Sequence, residues 1–231
     1  MSEVNWPEQA VTQQVSWLTR VFVANDFAEH LPTLVSELEH ALHDTNVAIK
    51  HDRTTTVIKL ELSSGDFVLK RYNPRNRWHK VKRALRRSRA SRCWLMSYAF
   101  ERAGLNVSRP VLMVEKRFGP IHQNAYFINE HLSGEELLTL LPVMSRLERE
   151  AVLNQVKDAF DKMRDAKITH GDLKATNLIW RDGRLFFIDL DAAAKHGSRV
   201  TWSKNHNKDR KRFLKNWVDY PEIIELFKEL N

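Results

Sequence analysis

The chain has 231 residues, of which 42% are hydrophobic and 29% charged, the balance of an ordinary globular protein long enough to bury a sizeable core in one or two lobes. No apolar run approaches the ~18 to 20 residues that span a bilayer, the N-terminus MSEVNWPEQA lacks the basic start and apolar stretch of a signal peptide, and the single cysteine, Cys93, excludes an intramolecular disulfide. A soluble or membrane-peripheral protein of a reducing cytosol is expected, and its formal charge of +8 favours polyanionic partners.

In chain order, a first helix is expected over Ala10 to Val23. A clearer one follows, since Leu31, Leu34, Val35, Leu38, Ala41 and Leu42 recur at three and four residues. Three strand-like runs come next, roughly Asn46 to Lys50, Thr56 to Leu62 and Phe67 to Tyr72. The last two are joined by Ser63-Ser64-Gly65-Asp66, a hairpin turn composition, so a small antiparallel meander is predicted. From Lys70 to Arg92 cations crowd without one Asp or Glu. Such a run can be a solvated face. With Trp78 and Trp94 interleaved it also suits an anionic membrane surface or RNA, two options these residues do not separate. A helix from about Arg89 to Ala103 carries Ala90, Cys93, Trp94, Ser97, Tyr98 and Glu101 on one side and stops at Gly104. Strands near Val111 to Lys116 and Ala125 to Glu130 follow.

Past Gly134 the texture becomes helical. Val152, Leu153, Val156, Phe160 and Met163 mark a long helix with Glu148 and Glu150 near its start. Two short strands, Leu178 to Trp180 and Leu185 to Ile188, are joined by Arg181-Asp182-Gly183-Arg184, a plausible hairpin connection. The tail has a basic stretch, Lys204 to Lys215, and then Asp219-Tyr220-Pro221 opening a last helix with Ile223, Ile224, Phe227 and Leu230 on one face.

The strongest chemical signal is His170-Gly171-Asp172-Leu173-Lys174-Ala175-Thr176-Asn177, followed by Leu178-Ile179-Trp180 and then Phe187-Ile188-Asp189-Leu190-Asp191. Phosphoryl transfer needs a carboxylate to take the hydroxyl proton and oxygen ligands for the magnesium that screens the phosphates. Asp172 five residues before Asn177, with Asp189 after an apolar strand returning beside that loop, supplies this set in order and spacing. Turn and cap chemistry alone could also place Asp and Asn here, but three at matched spacing beside two strands favour the functional reading.

These segments resemble the catalytic loop and metal-binding segment of the protein-kinase-like superfamily. The HGDLKATN and IDLD versions are similar to those of the lipopolysaccharide core kinases of the Kdo/WaaP family. Phe67-Val68-Leu69-Lys70-Arg71-Tyr72 resembles the strand carrying the ATP lysine, and Gly104-Leu105-Asn106-Val107-Ser108-Arg109-Pro110 the segment after the first helix. The resemblance covers roughly residues 47 to 191 and implies an α+β, two-lobed protein-kinase-like fold with a small antiparallel-sheet N-lobe and a mainly helical C-lobe. The division implied is 1–45 as an N-terminal helical extension, 46–131 as N-lobe and 132–231 as C-lobe.

By the same resemblance ATP and Mg2+ are the cofactors, Lys70 holds the α- and β-phosphates, Asp172 is the base, Lys174 stabilises the transferred group, and Asn177 and Asp189 bind the metal. Glu130 and Leu132, at the hinge, meet the adenine through backbone groups. The turn at His51 to Thr56 has no glycine, so Arg53 and the Thr55 hydroxyl substitute for a glycine-rich loop. The acidic partner of Lys70 stays open: Cys93 stands near its usual slot, with Glu101 and Glu115 as the nearest carboxylates in sequence. The acceptor implied is an inner-core Kdo or heptose of a lipopolysaccharide precursor, lipid A with core sugars. The enzyme would sit at the inner face of the cytoplasmic membrane, held through segment 70–92. Alternatives are a small atypical kinase linked to tRNA modification, which would make nucleic acid the partner, and a pseudokinase acting as a nucleotide- or lipid-binding module. Cys93 and the histidines His170, His196 and His206 are expected to be structural.

Overall fold

The computed structural model describes residues 12–16, 18–43, 48–51, 55–62, 64–73, 87–118 and 121–228. Arg53, Trp78 and the middle of the basic segment, 74–86, lie outside the described residues. In chain order the strands are β1 (Thr12–Val15), β2 (Thr19–Val23), β3 (Ala48–His51), β4 (Thr55–Leu62), β5 (Gly65–Tyr72), β6 (Asn106–Val107), β7 (Pro110–Phe118), β8 (Ile121–Glu130), β9 (Glu135–Glu136), β10 (Ile168–Thr169), β11 (Leu178–Arg181), β12 (Arg184–Phe187) and β13 (Ala194–Lys195). The helices are α1 (Leu31–His43), α2 (Arg89–Arg102), α3 (Leu137–Leu140), α4 (Arg146–Asp165), α5 (Arg199–Lys215) and α6 (Pro221–Phe227). The chain divides into two compact units, one of residues Met1–Leu95 with Arg109–His131 and the other of Met96–Ser108 with Leu132–Asn231.

The first unit is a seven-stranded sheet in the order β1-β2-β7-β8-β5-β4-β3. Alternation along the strands gives it two faces. On one, Ile58, Leu60, Phe67, Leu69, Leu112, Val114, Tyr126 and Ile128 form a single apolar cluster with Val23, Phe27, Leu34 and Leu38. The α1 stripe read from the sequence thus becomes a cover for the sheet. Each such large side chain removed from water contributes about 1.5–3 kcal/mol. The stretch expected as a first helix is instead the hairpin β1–β2, with Thr12 opposite Val23 and Val15 opposite Arg20. Thr, Val and Phe in β2 favour a pleated surface, and β2 pairs with β7 from Thr19 opposite Lys116 to Val23 opposite Leu112. Ladder bonds to a long neighbour outweigh the weak helical pattern of this stretch. The N-terminal segment is therefore part of the sheet unit and is not purely helical.

The opposite face carries Lys70, Tyr72, Thr55 and Glu115, and the first turns of α2 are fastened to it. Ser88 Oγ accepts from the Ser91 N–H at 3.0 Å and donates to the buried Glu115 carboxylate. The Arg89 guanidinium sits 4.9 Å above the Tyr72 ring and donates to Thr55 Oγ1 at 3.0 Å. Tyr72 Oη and the buried Cys93 Sγ are 3.4 Å apart, so the cysteine is packed, as its bulky surroundings suggest. Trp94 is fully buried against Phe22. That corrects its reading as a membrane-interface or base-stacking residue, because an indole inside a core has no face left for either.

The second unit holds a four-stranded sheet, β6-β12-β11-β9, and the pair β10-β13, packed with helices around a core that includes Phe100, Leu137, Val152, Val156, Phe160, Met163, Leu173, Phe187, Phe213 and Trp217. Helix α2 ends as its glycine signals: Gly104 has φ +76, its N–H bonds Glu101 O at 2.8 Å, and Leu105 N–H bonds Phe100 O at 3.0 Å. Its buried side includes Ala90, Cys93, Trp94, Met96, Ser97 and Phe100, while Glu101 is exposed. Helix α4 begins with a full capping box between Ser145 and Glu148. Gln155 on its side clamps the β11–β12 hairpin, donating to Gly183 O at 2.7 Å and accepting from Leu185 N–H at 2.9 Å. The hairpin turn uses Asp182 and Gly183 at φ +50 and +71, the double positive φ of a two-residue loop.

Candidate active site

The HGDLKATN segment leaves β10, turns through a short 3-10 stretch at Ala175–Asn177 and enters β11. Within it the Lys174 N–H bonds Asp172 O at 2.8 Å, Asn177 N–H bonds Lys174 O at 2.9 Å, and Asn177 Nδ2 donates back to Asp172 O at 2.8 Å. Ile188 N–H then bonds Asn177 O at 3.0 Å. Asp172 and Asn177 therefore belong to one hydrogen-bonded network, and the bond from Ile188 brings the following residue, Asp189, beside the loop. Asp189 adopts φ +60 and ψ +58, a left-handed conformation that costs a non-glycine residue of order 1 kcal/mol or more and recurs at functional sites.

Three features lock this network. His170 is fully buried; its Nε2 donates to Ile188 O at 3.0 Å and its Nδ1 receives the Asp172 N–H at 3.4 Å. Burial pushes its pKa below the usual value, so the ring is neutral, as donating from one nitrogen and accepting at the other requires. Gly171 has φ +81, and a Cβ there would collide with the Ala192 carbonyl, so glycine is obligatory in this version of the loop. Asp209, buried on α5, accepts from His170 N–H at 2.8 Å and Gly171 N–H at 3.0 Å through Oδ2.

Asp209 escaped the sequence reading, as did the helix that carries it. The signal was present: Trp202, His206, Asp209, Phe213 and Trp217 recur at three and four residues under the cations. Trp202 Nε1 donates to Ile168 O at 3.0 Å and stacks on His206, which packs against Phe160. His196 pairs with Thr169 Oγ1 at 2.8 Å, and among the described residues no cluster of three or more His, Cys, Asp or Glu could hold a metal by itself.

At Asp172 the carboxylate meets Lys174 Nζ at 3.2 Å and, through the other oxygen, the Arg212 guanidinium. Arg212 is a second residue the sequence reading missed. Because the Asn177 amide nitrogen is held by Asp172 O, its side-chain oxygen remains for a ligand. That oxygen and the Asp189 carboxylate are hard oxygen donors of the kind that would hold a magnesium ion.

Of the other described site residues expected from the sequence, Thr55, Lys70 and Glu130 lie in the sheet unit and Leu132 opens the second segment of the other unit. Lys70 pairs across β5 with Val57 and Phe127. The Glu130 N–H bonds Arg109 O at 2.9 Å, its carbonyl accepts from Asn129 Nδ2 at 3.0 Å, and His131 N–H bonds Asp66 O at 2.8 Å. Of the two glutamates weighed as partners for Lys70, Glu115 shares its sheet face, whereas Glu101 stands beside Tyr98, whose phenol burial and that carboxylate push up.

Comparison with known proteins agrees with this geometry. The family model described as "Lipopolysaccharide kinase (Kdo/WaaP) family" matches residues 44–223. KEOPS complex subunit Bud32 of Pyrococcus abyssi (strain GE5 / Orsay) is 37% identical over 71 residues, 31% of this chain, and the match spans 32% of that relative's length. A solved structure, WaaP in complex with acyl carrier protein, superposes with a TM-score of 0.61 over 91% of this chain and 92% of that one at 15% identity, which establishes a shared, protein-kinase-like fold. The loop geometry, the fold and a family match over most of the sequence converge, and the chain belongs to the lipopolysaccharide kinase (Kdo/WaaP) family, whose members are phosphotransferases acting on hydroxyl groups.

Proposed function

We propose that the chain transfers the γ-phosphoryl group of ATP to a hydroxyl of an inner-core sugar, Kdo or heptose, on a lipopolysaccharide precursor. The observation that supports this reading is the network that ties Asn177 to Asp172 and to Ile188, the neighbour of Asp189. Asp172 accepts the proton of the sugar hydroxyl as its oxygen bonds to the γ-phosphorus and the bond to ADP breaks. Lys174 stabilises charge on the moving group. Asn177 and Asp189 hold magnesium, which screens the phosphates when bound. Lys70 holds the α- and β-phosphates, with Arg53, Thr55, Glu130 and Leu132 completing the nucleotide site.

The acceptor assignment draws on the family and on the likeness to WaaP. Among the described residues no helix is long and apolar enough to cross a membrane. Contact with the inner leaflet is assigned to cations of segment 70–92, at about 1 kcal/mol each near an anionic surface. Acyl carrier protein, bound to the WaaP of similar fold, joins the partners to test by pull-down. The deciding experiment presents labelled ATP and magnesium to lipid A carrying core sugars, beside Asp172→Ala. Label on the glycolipid with the unmutated chain alone is expected; no label while nucleotide still binds would remove the acceptor assignment. A second reading, an atypical kinase working within a larger assembly, is favoured by the local likeness to Bud32 and predicts ATP turnover with no glycolipid present.

A further inference from the structure

Helix α5 carries a second feature beside the anchor Asp209. On its solvent-facing side, Lys204, Lys208 and Arg212 follow at four-residue intervals and Lys215 comes after them, all exposed. Side chains four apart stand one above another on a helix, so these cations form a ladder with steps of about 6 Å. No exposed acid interrupts it, because the one acidic residue of α5, Asp209, is buried and occupied by the His170 and Gly171 N–H groups. Charge runs are commonly solvated faces, but this one ends on the chemistry: Arg212 is ion-paired with Asp172, and Lys174 reaches the other carboxylate oxygen at 3.2 Å. Lower on the ladder, Lys208 Nζ is 3.4 Å from Asn205 Oδ1.

A guanidinium on the base neutralises the carboxylate that must take up a hydroxyl proton, so the pair suits a resting state that the acceptor exchanges. An acceptor with an anionic group near its reacting hydroxyl would offer Arg212 a planar, two-point partner and release one Asp172 oxygen toward the hydroxyl. We infer that the Lys204, Lys208 and Arg212 flank of α5 is the acceptor-binding surface, and that it takes a sugar bearing phosphate or carboxylate groups beside the hydroxyl to be phosphorylated. This rests on the kinase reading above and adds to it where the acceptor lies and what charge it carries.

The test measures binding of the full chain, without ATP, to the deacylated oligosaccharide of lipid A with core sugars, in intact, phosphatase-treated and carboxyl-reduced forms. Removing the recognised anion is expected to weaken binding at least tenfold, and which treatment does so separates phosphate from carboxylate. Lys204→Glu with Lys208→Glu is expected to weaken binding of the intact form at least tenfold at an unchanged melting temperature, with Lys204→Arg and Lys208→Arg close to the unmutated chain. Affinity insensitive to both chemical treatments, affinity insensitive to the charge reversal, or retention of RNA but of no oligosaccharide would each overturn the inference. Charge-dependent binding of the oligosaccharide with no label transferred in the ATP experiment above would instead remove the proposed phosphorylation of this acceptor and support the ladder.

Discussion

At the scale of single residues, the loop assigns separable roles. Asp172→Asn keeps the size and the backbone contacts of Asp172 and removes its basicity, so nucleotide binding should persist while transfer falls by about 10²–10⁴-fold. Asp189→Ala should instead lose magnesium-dependent nucleotide binding, read by equilibrium titration with and without the metal. Equal, full transfer by both variants would refute the site. Gly171→Ala meets a backbone carbonyl at a positive φ and should cost about 1–3 kcal/mol, seen as a lower denaturation midpoint. His170 adds a pH dependence. Burial lowers its pKa from the usual 6.5, so below about that pH the unfolded chain binds a proton that the native ring refuses. The contribution is complete above pH 6.5 and is lost as pH falls toward the depressed native value. Melting temperatures from pH 8 to pH 5 should decline, and the part of the decline that vanishes in His170→Asn is the share of His170. A parallel decline in both proteins would contradict a buried neutral ring.

At the scale of elements, α5 holds the start of the His170–Asn177 loop through Asp209. Its Oδ2 satisfies two backbone N–H groups at 2.8 and 3.0 Å. Replacing it by Ala orphans both, at about 1–3 kcal/mol for each buried unsatisfied group, whereas Asn keeps an acceptor oxygen. Asp209→Ala should therefore lose several degrees of melting temperature and most of kcat, and Asp209→Asn should recover part of each. Equal behaviour of the two variants would mean that the carboxylate serves packing and not the loop. This helix also marks where the sequence was least legible. Cations dominate residues 204–215, and a reader of charge sees a solvated run. Yet the apolar and aromatic residues beneath, Trp202, His206, Phe213 and Trp217, carry the helical period and are buried. By contrast α4 and the β11–β12 hairpin were plain, because a capping box and a two-residue turn are local signals that no distant contact has to supply.

At the scale of the molecule, the described residues between Thr12 and His43 are part of a fold unit. β2 forms a five-residue ladder with β7, Leu34 and Leu38 of α1 cover the sheet, and Arg109, just before β7, pairs with Asp26 and lies 5.3 Å over the Phe27 ring. Deleting residues 1–43 exposes that apolar face and frees an internal strand edge, so the truncated protein should aggregate or melt without cooperativity, as read by calorimetry and light scattering. A soluble truncation with a sharp transition would make the segment an independent addition. By itself the sequence determined the meander, the long helices with their stops, and the order of Asp172, Asn177 and Asp189, because turn chemistry, helical period and motif spacing are properties of neighbouring residues. Only the tertiary structure decided that residues 12–23 are strands, that Trp94 is core, that Gly171 must be glycine, and that Asp209 and Arg212 meet the loop. Each of these depends on a partner far along the chain, and the free energy of a ladder bond, a buried ring or an ion pair exists only once that partner is in place.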